Sequence, residues 1–492
     1  MGSKDLHQRM SKLDRLAELE AASRPLELDQ AARARQTDAV RDYVDDWLTT
    51  VQDKAVFMED PGTRQAGSLN IDEAPVSIDE ALATLAEQVD SSGQNLGHSR
   101  FFGYIPSGGL YTGALGDYIA AAVNRYAGVD YAAPGAARLE HALIRWLAKE
   151  VGYPASAQGD LASGGSIATL SAVAAARQRH DVRARDVENT VVYLTQLTHH
   201  CITKALQVAG MAECRLRLVP LDRHYRMDVE ALDEAIKADR AAGLRPWLLA
   251  GSAGTTDLGT IDPLPALADA ADQHGLWFHV DAAYGGSFVL CDEGRKRLAG
   301  MERSDSVVIN PHKGMFLPTG LGIVLVRDGA ALFEAFHARG SYMQDMEGMG
   351  VEQAHSACDF SPELTRPFRG LRLWLPLKLT GLSPFRAAVE EKLLLAEYFY
   401  DRVRELEGFV VGPPPDLSIV AFRYQPETGD ANDFNSRLFE AIRDDGRIFL
   451  STTTLDGNFT LRLAILSYHT HRRDIDTALQ VIDELARKLS AV

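Results

Sequence analysis

The sequence predicts an α/β protein: a mostly parallel sheet between helices, a helical segment before it and a small α+β domain after it. Three observations carry this. From about residue 160, short β-rich runs alternate with amphipathic helical patterns, the rhythm of right-handed crossovers in a parallel sheet covered on both faces. The first hundred residues read as helices with no strand pattern. After about residue 385 a long helix gives way to strands and a last amphipathic helix.

In the N-terminal segment Val40, Tyr43, Val44, Trp47, Leu48 and Val51 recur on one helical face. Ser77 and Glu80 have capping-box spacing, and Leu82, Leu85 and Val89 follow on one stripe. In the middle region strands are expected at Val191–Leu194, Leu216–Val219, Trp247–Ala250, Leu276–Val280, Ser306–Ile309 and Gly322–Val326. Asp228 caps a helix carrying Val229, Leu232 and Ile236, and a helix over Leu264–His274 ends where Gly275 supplies a left-handed cap. Strands near Ile419–Tyr424 and Thr460–Ile465 precede a helix with Ile475, Leu479, Ile482 and Leu485 on one face. The expected divisions are 1–108 (helical segment), 109–385 (large domain) and 386–492 (small domain), the second boundary lying at Gly381–Phe385.

Composition narrows the class. The 492 residues are 46% hydrophobic and 24% charged, with a net charge of −17, so the bulk of the chain can bury a core. Without a Lys/Arg block, an acidic chain is a poor partner for nucleic-acid phosphates. Cys201, Cys214, Cys291 and Cys358 form no CxxC pair, which argues against a disulfide framework and a structural zinc site; no metal is expected. The charged N-terminus lacks a signal-peptide core, and the weakly charged span Phe101–Asn124 is broken by Pro106 and several glycines. A cytoplasmic, cofactor-using enzyme without membrane contact is the expectation.

Ligands in open α/β sheets bind beyond the carboxyl ends of the strands, and four polar clusters fall there. Ser163–Ser166 leads directly into an Ala-rich helix, so backbone N–H groups and the helix dipole suit a phosphate. An ordinary capped turn is the bland alternative for this motif alone. Thr198–Lys204 holds two adjacent histidines, of which at most one faces a site. Asp281 ends a hydrophobic strand and needs a partner that a cationic ring nitrogen satisfies, while Ala282 and Ala283 leave room for a flat ring. Lys313 follows a strand expected to be buried, where a desolvated amine becomes a nucleophile able to form a Schiff base. Each cluster is weak singly. Together they describe pyridoxal 5'-phosphate, which needs a lysine, a carboxylate, an anion site and a flat neighbour.

HVDAAYGG (His279–Gly286) and NPHK (Asn310–Lys313), with a separation of 32 residues between Asp281 and Lys313, resemble the group II pyridoxal-phosphate decarboxylases, the family of aromatic-L-amino-acid decarboxylase. GTTDLGTIDP (Gly254–Pro263), FFGYIPS (Phe101–Ser107) and RPFRGLRLW (Arg366–Trp374) extend the resemblance over most of the chain. It implies a fold-type-I, aspartate-aminotransferase-like homodimer with sites at the subunit interface. It implies that Lys313 holds the cofactor as an internal aldimine, which an L-amino acid converts to an external aldimine and, on loss of carbon dioxide, a quinonoid. Asp281 would pair with the ring nitrogen and His199 would stack on the ring. Gly165, Ser166 and Asn310 would bind the phosphate, Thr256 would sit near the 3-hydroxyl, Ala283 under the ring and His312 beside the lysine. Phe102, Tyr104, Ile105 and Pro106 would shape the substrate pocket. The family's lid tyrosine is replaced: Ala357 occupies its place, leaving Tyr342 and His355 as proton donors within Gly340–Phe360. Aromatic substrates are therefore the first expectation. A decarboxylation-dependent aldehyde synthase, an acidic or diamino-acid decarboxylase and a silent cofactor-binding scaffold are the alternatives.

Overall fold

The computed structural model describes residues 3–60, 69–71, 73–338 and 356–491, and the chain divides into two compact units, 1–95 and 96–492. The first unit is built from helices Ser3–Ser23, Gln30–Thr50 and Ile78–Gln88 and a two-residue ladder between β1 (Phe57–Met58) and β2 (Gly93–Gln94). Its helix starts are set locally. Asp29 accepts from Ala32 N–H, and Ser77 and Glu80 form the expected capping box. Tyr43 donates its hydroxyl proton to Asp90, and Asn95 Nδ2 donates to the Val51 carbonyl at 3.0 Å.

The second unit opens with β3 (Phe101–Phe102) and helices Tyr111–Val123 and Pro134–Val151. A seven-stranded sheet follows, formed by β4 (Gln158–Ala162), β5 (Thr190–Leu194), β6 (Arg215–Leu218), β7 (Arg245–Ser252), β8 (Trp277–Asp281), β9 (Ser306–Ile309) and β10 (Gly322–Val326). Their spatial order is β4-β10-β9-β8-β7-β5-β6, and only β10 runs antiparallel to its neighbours. Successive residues in these strands enter cores on opposite faces: Val307 and Ile309 join one, Val308 the other, and Ile323 and Val324 part in the same way. Burial on both faces explains why the strands read as continuous apolar runs.

A second sheet contains β11 (Phe409–Val411), β12 (Ile419–Tyr424), β13 (Phe449–Leu455) and β14 (Asn458–Ala464), ordered β11-β12-β14-β13-β3. The edge strand β3 pairs in parallel with β13 (Phe101 beside Phe449), so residues 101–102 complete a sheet whose other strands lie more than 300 residues later. Helices Leu382–Val403, Ala431–Asp445 and Arg472–Ser490 cover it. The last buries Ile475, Leu479, Ile482 and Leu485 as its spacing predicts.

The expected strands Ser306–Ile309, Gly322–Val326 and Ile419–Tyr424 match the observed limits, and Gly275 has the left-handed φ of 59° that ends the helix before β8. β4 (QGDLA) and β13 (FLSTTTL) escape a pattern search, because Gly, Asp, Ser and Thr dilute the apolar signal. No helix among the described residues is long and apolar enough to cross a membrane.

Candidate active site

Where the parallel strands end, turns from distant stretches of chain line one cavity of about 360 Å³, large enough for a small cofactor. Gly165, Ser166, His199, Thr256, Asp281, Ala283, Asn310, His312 and Lys313 all line it. Phe102, Tyr104, Ile105 and Pro106 do not. Phe102 is buried in the core of the second sheet, Tyr104 is exposed, and Ile105 packs on the large core. Tyr342 and His355 lie outside the described residues.

The lysine end is built by β9. Asn310 N–H donates to the Ala283 carbonyl at 3.1 Å, and Pro311 opens a single helical turn that carries Lys313, whose N–H donates to the Asn310 carbonyl at 2.9 Å. Gly314 makes this turn possible, since a Cβ there would lie 2.6 Å from Ser287 Cβ. Burial pushes the Lys313 amine below its ordinary pKa, and Asp281 opposes that shift in part. A lowered pKa enlarges the fraction of neutral amine, which is the nucleophilic form. Among the described residues Lys313 forms no ion pair within 4.0 Å.

The carboxylate end is built by β8. Asp281 Oδ1 accepts from Ala283 N–H at 3.0 Å and Oδ2 from the Cys201 thiol at 3.6 Å. His199 Nδ1 accepts from Cys201 N–H at 3.2 Å, so Nε2 carries the proton of the neutral ring; burial lowers its pKa, with Asp281 opposing. His312 donates from Nδ1 to the Leu321 carbonyl at 2.6 Å, leaving Nε2 as an acceptor, and burial lowers its pKa too. The loop holding Thr256 is strapped down by Arg462 of β14, which donates to the Thr256 carbonyl at 2.5 Å, the Asp257 carbonyl at 3.2 Å and Ser451 Oγ at 2.6 Å.

The phosphate end is the start of helix Gly165–Arg179, whose N-cap, Gly164, provides no side-chain cap. Gly164, Gly165, Ser166 and Asn310 line the cavity there. Gly165 lets the Asn310 amide sit close, since a Cβ there would lie 2.8 Å from Asn310 Nδ2 and displace that side chain, and the buried Asn310 Oδ1 has no hydrogen-bond partner among the described residues. An uncapped helix N-terminus at one end, an anchored carboxylate at the other and a desolvated amine between them fit pyridoxal phosphate. His199, Cys201 and Asp281 also place donor atoms within 4.8 Å of one another, the only such His/Cys/Asp/Glu group among the described residues.

Cys201, Thr169, Tyr284, Thr319 and Arg462 were not singled out from sequence as site residues, although the first four line the cavity and Arg462 supports it. Cys201 carried a signal, being two residues past His199 at a helix start. Arg462 had none, because the Thr256 and Asp257 carbonyls it holds lie about 200 residues away in sequence.

Residues 64–425 match the family model of the pyridoxal-dependent decarboxylase conserved domain. The chain is 34% identical over 415 residues to an aromatic-L-amino-acid decarboxylase of Bacillus atrophaeus (84% of this chain, 86% of that one). It is 30% identical over 468 residues to a phenylacetaldehyde synthase of Arabidopsis thaliana (91% and 94%). The crystal structure of Oryza sativa TDC with PLP and tryptamine superposes with a TM-score of 0.88 at 26% identity, over 94% of this chain and 99% of that one. The chain thus belongs to the pyridoxal-dependent decarboxylases, enzymes of the fold-type-I class that use pyridoxal phosphate to decarboxylate amino acids.

Proposed function

We propose that this chain converts an aromatic L-amino acid to its amine and carbon dioxide. The observation that carries the reading is the convergence of Lys313, Asp281, His199 and the uncapped Gly165 helix on one cavity. Relatives acting on aromatic substrates support the class, among them the Bacillus enzyme and a tryptophan decarboxylase of Oryza sativa at 31% identity. When bound, pyridoxal phosphate supplies an aldehyde that takes the amino group and a ring that accepts the electron pair left by carbon dioxide.

The protein's residues make that chemistry possible. Lys313 offers its neutral amine more readily than an exposed lysine, because its pocket penalises the charged form. Asp281, held on both oxygens, keeps a proton on the ring nitrogen, which preserves the ring's pull on electrons. His199, with the proton of its neutral ring on Nε2, would stack on the ring and offer that proton to the substrate carboxylate. The helix N-terminus with Gly165 and Ser166, together with Asn310, would hold the phosphate, with His312 beside the lysine, Thr256 near the ring hydroxyl and Ala283 under the ring; all of them line the cavity.

The active species in this reading is a cytoplasmic homodimer with sites at the interface, and of the four expected wall residues the exposed Tyr104 and the half-buried Ile105 act on the substrate across it, whereas Phe102 is spent on the core of the second sheet. The exposed Tyr111, Tyr118, Ile119 and Val123 on one helix support an apolar contact of that kind. Residues 1–108 wrap the partner, 109–385 bind the cofactor and 386–492 form the small domain. Tyr342 or His355 returns the proton to the substrate carbon.

A second reading, an oxygen-consuming aldehyde synthase, is favoured by Ala357, which is buried in a turn at the place of the family's tyrosine, and by the aldehyde-synthase relative. One experiment separates the two. The enzyme is given tryptophan, tyrosine, phenylalanine, dihydroxyphenylalanine, glutamate and 2,4-diaminobutyrate, with carbon dioxide, oxygen and product mass followed together. Amine formed one-for-one with carbon dioxide and no oxygen uptake supports the decarboxylase. Aldehyde with hydrogen peroxide supports the synthase, and turnover of glutamate alone refutes the aromatic assignment. Borohydride reduction followed by peptide mapping is expected to find the cofactor on Lys313.

A further inference from the structure

We propose that Cys201 is a positioning residue, whose thiol, itself held by Thr169, donates to Asp281 and fixes the carboxylate where the cofactor's protonated ring nitrogen meets it. The inference rests on the cofactor assignment above and concerns residues to which that assignment gives no role.

The relay joins three elements. Thr169 is fully buried one turn into helix Gly165–Arg179, the helix whose first turn faces the phosphate, and its hydroxyl donates to Cys201 Sγ at 3.7 Å. Cys201 opens the helix Cys201–Val208, and its thiol lies 3.6 Å from Asp281 Oδ2 at the end of β8. The backbone N–H of the same residue holds His199 Nδ1 at 3.2 Å. Residue 201 therefore fastens the imidazole with its main chain and the carboxylate with its side chain, tying both to the phosphate helix through Thr169.

Sulfur suits the task for two reasons. Burial and the neighbouring Asp281 raise the thiol's pKa, so the S–H proton stays available to donate. An S–H group is also a weak donor, so it orients the carboxylate without drawing off the charge that must face the ring nitrogen. A lysine or arginine at the same place would quench that charge. With Oδ1 taken by Ala283 N–H and Oδ2 by the thiol, each oxygen keeps a lone pair for the ligand.

The test measures pyridoxal-phosphate affinity by titrating apoprotein, alongside apoprotein melting temperature, for wild type, Cys201→Ala, Cys201→Ser, Asp281→Ala and the Cys201→Ala/Asp281→Ala pair. Cys201→Ala is expected to weaken binding about tenfold, the usual effect of losing a hydrogen bond to a charged group. Cys201→Ser, which keeps a donor, is expected to stay within about threefold of wild type. In the Asp281→Ala background the Cys201→Ala change is expected to have no further effect, because a relay has nothing left to position. Equal affinity of Cys201→Ala and wild type would overturn the proposal, as would an undiminished loss in the Asp281→Ala background. A melting-temperature fall shared by the Ala and Ser variants, with affinities that follow it, would overturn it too. Wild-type apoprotein that takes up no pyridoxal phosphate would remove the cofactor assignment and the relay together, whereas uptake indifferent to Cys201 removes only the relay.

Discussion

Two clusters of buried charge in the same unit are built on opposite plans. Around Arg366 each charged group has an opposite charge within the chain, although Asp160 Oδ2 and Arg366 Nε make no hydrogen bond of their own among the described residues. The guanidinium donates to Asp160, to Glu140 Oε2 at 2.9 Å and to the Leu161 carbonyl at 2.9 Å, while Glu140 Oε1 accepts from Gly370 N–H at 3.0 Å. Arg366, Glu140 and Asp160 are each no more than 4% exposed. Around Lys313 the amine has no ion-pair partner among the described residues, and the helix that faces it starts uncapped. The first cluster holds the segment at 366–370 against β4 and needs no ligand. The second leaves a desolvated amine and free helix N–H groups, groups that cost free energy until a ligand answers them. Unanswered buried polarity in a cavity is what distinguishes a site from a brace.

Substitutions should break the two clusters differently. Lys313→Ala is expected to cut turnover by at least about 10³-fold, the scale on which covalent nucleophiles are lost, with the fold intact. Carbon dioxide release and a thermal melt measure this, and a large fall in melting temperature would place Lys313 with the braces. Arg366→Met should do the reverse, because it strands Glu140 and Asp160. It is expected to cost about 3–5 kcal/mol of stability in a urea titration, with turnover per folded molecule little changed.

His279 sharpens the contrast, being buried with one ring nitrogen answered by Ser306 Oγ at 2.9 Å and the other, Nε2, without a hydrogen-bond partner among the described residues. Burial lowers its pKa from 6.5 to about 4. The unfolded state then binds the extra proton first, so this group's contribution is complete above pH 6.5 and is lost as pH falls toward 4. The loss is of the order of 3 kcal/mol. Urea midpoints across that window check it, and His279→Gln should flatten the profile. The smallest effect is expected at a half-buried helix start. Asp228→Ala removes a cap from Glu230 and Ala231 N–H, at about 1 kcal/mol in the same titration and with no effect on turnover.

Legibility in the sequence followed the range of the interactions involved. β9, β10 and β12 were readable because burial on two faces writes itself as an unbroken apolar run, and the starts at Ser77 and Asp228 because a cap and the N–H groups that donate to it lie within four residues. Lys313, Asp281 and the Gly165 turn were readable for a related reason: each stands at the end of one element, where an apolar run gives way to polar and small residues.

What composition, periodicity and short motifs settle is therefore a list of elements, their class and the chemical groups at their ends. Which ends meet is another matter. The strand order β4-β10-β9-β8-β7-β5-β6 brings residues 165, 199, 281 and 313 to one cavity. The pairing of β3 with β13 puts Phe102 inside a core where its neighbourhood in the sequence suggests a substrate wall. Cys201 and Arg462 gain their significance only there, since a hydrogen bond across 80 or 200 residues leaves no trace in either local stretch. Local free energies choose helices, strands and caps; the burial of sheet faces, summed over the whole unit, chooses which of their ends become neighbours.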